Sequence, residues 1–163
     1  PSACITNLDM IHYISYNYDG IVIMSTGMST QEEVDAAVGA ISDRNRLILL
    51  HCNSSYPSSN DELNLRCISY LKDRYNVLVG YSGHEPGIQA SLYAVALGAC
   101  VIEKHITFDR SANGTDHAAS LEFEGQRRLV RDVKLYNTML GDGVKRVYDS
   151  ELAVMKKLRY KKL

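Results

Sequence analysis

The stretch VLVGYSGHEPGIQASLYAVALGACVIEKHITFDRSANGTDHAAS, Val77 to Ser120, decides how the chain folds. It reads as strand (VLVGYS, 77–82), polar turn, short apolar helix (Gly87 to Leu97), strand (VIEKHI, 101–106) and polar turn. Each strand delivers a histidine to the same end, His84 just after the first and His105 near the end of the second. Residues two apart on a strand share a face, so Glu103 and His105 point one way while Ile102 and Lys104 point the other. An acid beside an imidazole at a strand end, with a second imidazole one strand away, is a candidate metal or acid–base site.

Working outward, the same unit recurs. IVIMSTG (21–27) and LILLHC (47–52) are continuous apolar runs that stop at small polar residues, as strands buried on both faces do. Between them, Thr30-Gln-Glu-Glu33 is a capping box ahead of Val34, Ala37, Val38 and Ile41 at helical spacing. A helix is expected from about Asp61 to Tyr75 with Leu65, Ile68 and Leu71 inward, and a final long one from Glu122 to Leu140 with Leu129, Val133, Tyr136 and Leu140 on one face. Thr6 or Asn7 caps a short helix carrying Leu8, Ile11 and Ile14, and Pro1 to Cys4 reads as the end of a further strand.

Strands starting near residues 22, 47, 77 and 101 recur roughly every 24 to 30 residues. That spacing means parallel βα units with right-handed crossovers. The chemically useful residues all follow strands: Ser25-Thr26, Asn53-Ser54, Ser82–His84 and His105-Thr107. This asymmetry favours an α/β fold of the TIM (β/α)8 type, with sites at the carboxyl ends of the strands. A doubly wound sheet places ligands there too, but no glycine-rich dinucleotide fingerprint is present. With four to five βα units, residues 1–145 make a partial TIM barrel. Residues 146–163 read as a linker with weak helical character, leading towards a further domain.

Composition narrows the function. The 163 residues are 45% hydrophobic and 23% charged with a net charge of −1, which fits one globular domain and gives no nucleic-acid footprint. No apolar run reaches the roughly 18 residues of a membrane span, and no signal-peptide pattern is seen. Cys4, Cys52, Cys67 and Cys100 lie far apart, mostly within apolar runs, and read as buried reduced thiols of a cytoplasmic protein.

At GYSGHEPGIQASLYAVALGA, IEKHIT and GTDHAASL the chain resembles the sialic acid synthase family, N-acetylneuraminate synthase and its relatives. PSA-x-ITN, VIMSTGMST, LLHCNSSYP and the NL of DELNLR agree in order and spacing, over about residues 1–145. The resemblance implies a TIM-barrel enzyme that condenses phosphoenolpyruvate with an N-acetylated amino sugar of the N-acetylmannosamine type, releasing phosphate and forming a sialic-acid-like nonulosonic acid. It implies a divalent metal, manganese first, with magnesium or cobalt as alternatives, and a homodimer. His84 and His105 fall on the family's metal-ligand positions. Ser2, Asn53, Ser54, Tyr56 and Ser82 fall on or near positions that hold phosphoenolpyruvate. Glu103 and Asp116 fall on catalytic acidic positions facing the metal's water and the sugar. The family's first barrel segment, with a phosphate-binding lysine and a glutamate, has no counterpart in this sequence, nor does its C-terminal antifreeze-like domain.

Each assignment has a plainer rival. His84 and His105 can be hydrogen-bonded polar residues at strand ends, Glu103 a lumen carboxylate paired with a cation, and Asp116 a turn residue. The hydroxyls can simply cap helices, although a capped helix N-terminus is itself an anion site. His117 reads as a loop residue, His12 and Cys52 as structural. For the whole chain the rivals are a catalytically inactive fragment or split-gene half that only assembles or binds metal, and a different metal-dependent aldolase on the same fold.

Overall fold

In a computed structural model residues 1–160 are described. Four parallel strands, β1 (Val22–Ser25), β2 (Leu47–Cys52), β3 (Leu78–Gly83) and β4 (Ile102–Lys104), lie side by side in chain order. Helices α1 (Leu8–Asn17), α2 (Gln31–Gly39), α3 (Cys67–Tyr75), α4 (Gln89–Ala96) and α5 (Phe123–Leu140) precede, connect and follow the strands, and α6 (Leu152–Leu158) lies beyond them. This is the expected α/β half barrel. The open sheet has two edges, β1 and β4.

Register explains the division of labour. Ile23, Ile48 and Leu78 lie in one row, Ser25, Leu50 and Gly80 in the next, then Cys52, Ser82 and Glu103, all on one face. On the other face Met24, Leu47, Leu49, Val79 and Tyr81 join Val34, Val38, Ile68 and Leu71 from the helices in the hydrophobic core. The Thr30 capping box is formed, with its hydroxyl on the Glu33 amide and the Glu33 carboxylate on the Thr30 amide.

Several boundaries differ from expectation. Ser2–Cys4 is a 3₁₀ turn rather than a strand end; Cys4 N–H bonds Pro1 O and Ile5 N–H bonds Ser2 O, so these backbone groups are satisfied locally. The helix expected from Asp61 begins at Cys67, because Asn64 is in the left-handed region (φ +43°) and separates a 3₁₀ turn at Asn60–Glu62 from α3. Of the expected α5 face, Leu129 is buried and Val133 and Tyr136 half-buried, whereas Leu140 is 62% exposed. Gly141 and Gly143, both at positive φ, lead to α6; the last residues of that expected tail, 161–163, lie outside the described residues. All four cysteines are unpaired, but only Cys52 is buried; Cys4 and Cys67 are half-buried and Cys100 exposed. Among the described residues no helix is long and apolar enough to cross a membrane.

Candidate active site at the carboxyl ends of the strands

The turn after β3 and the end of β4 bring His84 and His105 together, ring centroids 5.2 Å apart. Tyr56, from the loop after β2, completes the cluster at 4.1 Å from the His84 ring and 5.4 Å from that of His105. His84 Nδ1 lies 2.6 Å from the Asn53 carbonyl oxygen, which can only accept, so Nδ1 carries the proton. Nε2 of the neutral ring then holds its lone pair towards the Tyr56 hydroxyl, 2.8 Å away. That is the tautomer a metal-ligating imidazole needs, with a backbone carbonyl orienting the ring from behind. Burial opposes the charged ring, but the Cys52 sulfur and the Asn53 carbonyl outweigh it and lift the His84 pKa above the usual histidine value.

Glu103 meets Ser82, whose hydroxyl donates to Oε1 at 2.8 Å. Its side chain is exposed on the concave face of the four-stranded sheet. Asp116 Oδ2 lies 3.8 Å from His105 Nδ1, so the loop after β4 does bring its acid to the second imidazole. His117 turns away and pairs Nδ1 with the Thr107 hydroxyl at 2.7 Å. Burial first, and then the ionisable acidic groups around it, Cys52, Asp116 and Glu103, push the Tyr56 hydroxyl pKa up, so it stays a donor.

The hydroxyls of Ser2 and Ser54 converge on Cys52 Sγ, at 3.7 and 3.8 Å. Burial disfavours a thiolate there, yet these hydroxyls and the His84 ring outweigh it and draw the Cys52 pKa below the ordinary thiol value. Gly27 leaves the meeting place open: a Cβ on it would lie 2.1 Å from Ser54 Oγ and 2.7 Å from Ser2 Oγ. Asn53 is committed otherwise, its side-chain oxygen accepting from the Ser55 amide at 2.9 Å and its Nδ2 donating to Glu62 O at 3.3 Å. A cleft of about 640 Å³ opens beside this pocket between α2 and α3, reaching His51, Asn53 and Ser54. Sequence reasoning passed over the Gly27 opening and the Tyr56–His84 contact; a glycine immediately after a strand was the available signal for the first.

The residues fit a divalent cation in part. His84 is correctly protonated and oriented, and His105, Glu103 and Asp116 lie nearby. Among the described residues no group of three or more His, Cys, Asp or Glu side chains is arranged to hold a metal, so water and substrate oxygens would complete the coordination.

Comparison with known proteins fits this geometry. Residues 1–145 match the NeuB family, and the chain belongs to that family. It is 41% identical over 155 residues to the N,N'-diacetyllegionaminic acid synthase of Campylobacter jejuni, covering 93% of this chain and 46% of that protein. It is 40% identical over 139 residues to the human N-acetylneuraminate-9-phosphate synthase, covering 84% of this chain and 39% of that protein. The chain therefore spans less than half the length of these curated relatives. Among solved structures, the N-acetylneuraminic acid synthetase of Leptospira borgpetersenii, crystallised with citrate, superposes with a TM-score of 0.82 at 36% identity, covering 98% of this chain and 57% of that one. A truncated 3-deoxy-D-arabino-heptulosonate 7-phosphate synthase from Thermotoga maritima (TM-score 0.70, 22% identity) shares the fold.

Proposed function

We propose that this chain carries the histidine-bearing half of a catalytic site that condenses phosphoenolpyruvate with an N-acetylated amino sugar, in the cytoplasm. The observation that carries this reading is the convergence of His84, His105 and Tyr56 at the carboxyl ends of adjacent strands, with Glu103 bonded to Ser82 on the same face of the sheet. Its chemical direction comes from relatives named as synthases of sialic-acid-type sugars. In the reaction the methylene carbon of phosphoenolpyruvate bonds to the sugar's aldehyde carbon, water adds at the carbon bearing the phosphate, and phosphate leaves. Ser2 and Ser54 offer hydroxyl donors to the anionic substrate, which suits a group that accepts several hydrogen bonds. Glu103, aligned by Ser82, accepts a proton from the attacking water, and Asp116 sits where the sugar would approach His105. His84 and His105 would hold manganese, which when bound supplies a Lewis acid for the aldehyde oxygen.

The test is manganese binding by the purified chain, followed by phosphate release from phosphoenolpyruvate with N-acetylmannosamine, with and without EDTA. His84→Ala and His105→Ala are expected to abolish metal uptake; unchanged metal content in either variant overturns the ligand assignment. The two-imidazole donor set favours one second reading, a metal-binding or assembly half without turnover of its own. Metal uptake with no phosphate release would select it.

A further inference from the structure

Directly behind the imidazole pair, on the opposite face of β3 and β4, lies a polar cluster that the proposed chemistry does not use. Lys104 Nζ is 3.0 Å from Glu85 Oε1, and the two side chains are only 2% and 1% exposed. The same Nζ also donates to the main-chain oxygen of Glu85. Tyr81, deep in the core, donates its hydroxyl to Glu85 Oε2 at 2.8 Å. Burial and the Glu85 charge hold the Tyr81 hydroxyl pKa well above its ordinary value, so it remains a donor. Gly83 makes room for the carboxylate: a Cβ there would lie 2.7 and 3.0 Å from its two oxygens.

The placement is telling because Glu85 directly follows His84 and Lys104 directly precedes His105. The β3–β4 ladder ends at the pair Gly83 and Lys104, so both imidazoles lie beyond the last paired residues. Past that point the main chain of each histidine is tied to a different segment: Ser58 N–H bonds His84 O, and Leu121 N–H bonds His105 O. The other side-chain link between the two strands, Ser82 to Glu103, lies one register step earlier. A buried ion pair is weak evidence for stability, since well-packed neutral side chains often replace one without loss. Its location suggests a geometric task instead.

We propose that the buried Glu85–Lys104 pair, braced by Tyr81, is a positioning device that sets the separation and orientation of His84 and His105. The proposal rests on the reading of these histidines as a metal site only for its metal readout. Glu85 and Lys104 touch neither substrate nor metal; they act through the residues next to them.

The test uses the full chain carrying Glu85→Gln together with Lys104→Met, which removes both charges and leaves none unpaired. It is expected to keep a cooperative thermal melt and the far-UV spectrum of the parent. In the metal-free protein the nuclear Overhauser cross-peak between the His84 and His105 ring protons should fall at least threefold. Manganese affinity should fall at least tenfold, measured by the free-manganese paramagnetic resonance signal. A double variant that retains both the parent cross-peak and the parent affinity would overturn the proposal and leave the pair a packing feature. If the parent chain itself binds no manganese, the metal reading fails, and the cross-peak alone decides the positioning role. Should the double variant not fold, Tyr81→Phe, which removes the bracing hydroxyl and leaves Glu85 and Lys104 paired, carries the same readouts and the same decision.

Discussion

Gly27→Ala tests whether the pocket beyond β1 holds the anionic substrate. Gly27 is buried, and its φ lies outside the left-handed region, so an alanine backbone is tolerated and the effect is one of space. The added methyl would sit 2.1 Å from Ser54 Oγ, 2.7 Å from Ser2 Oγ and 3.0 Å from Cys52 Sγ, whereas ordinary non-bonded contacts are about 3.5 Å or longer. Ser54 must therefore swing away by roughly 1 Å or more, and a half-buried side chain with one rotatable torsion can do so. Overpacking of this kind costs about 1–3 kcal/mol of stability. The displaced hydroxyl no longer donates to the ligand, and a hydrogen bond to a charged group contributes about 1.5–3 kcal/mol. At 1.4 kcal/mol per decade, phosphoenolpyruvate affinity should weaken roughly 10- to 150-fold. Isothermal titration with phosphoenolpyruvate reads the affinity and a thermal melt reads the fold. Gly39→Ala is the control, because nothing lies within 4 Å of the methyl it would add. Parent-like affinity in a folded Gly27→Ala protein would refute the placement of phosphoenolpyruvate against Ser2 and Ser54.

Two further outcomes follow from other parts of the molecule. His51 is held neutral mainly by burial, which lowers its pKa from the ordinary 6.5, with Nε2 donating to Leu63 O at 2.7 Å. The unfolded chain thus takes up the proton first: the parent should lose stability relative to His51→Gln as pH falls below about 6.5, with a constant difference above pH 7. A difference that stays flat from pH 8 to pH 5 in urea unfolding would contradict this. The unpaired outer edge of β1 and the exposed Ile23 and Leu78 on the concave face predict that the chain associates with itself, the simplest product being a homodimer. Sedimentation velocity showing a stable monomer at tens of micromolar would refute it.

Much of the architecture was legible in local sequence. Apolar runs ending in small polar residues located β1 and β2, the recurring βα spacing located β3 and β4, and Thr30-Gln-Glu-Glu33 located the start of α2. Alternation along Ile102–His105 correctly separated Glu103, which meets Ser82, from Lys104, which meets Glu85 on the other face. Where expectation failed, a single backbone choice intervened. Asn64 adopts a left-handed conformation that composition does not demand, and Pro1 to Cys4 satisfies its bonds in a turn.

The sequence by itself thus determined the parallel βα order, the strand ends at which the candidate site residues lie, and the family. These depend on periodicity, capping and motif, which act over a few neighbouring residues. Only the tertiary structure decided that Asn53 offers its carbonyl rather than its amide to the site, that Tyr56 lies on His84, and that Gly27 holds open the space between Ser2 and Ser54. It alone revealed that Glu85 and Lys104 share one buried pair behind the two imidazoles. Those contacts join residues far apart in the chain, and strand register together with the path of each loop, set by the packing of the whole sheet, chooses among the many partners each polar group could take.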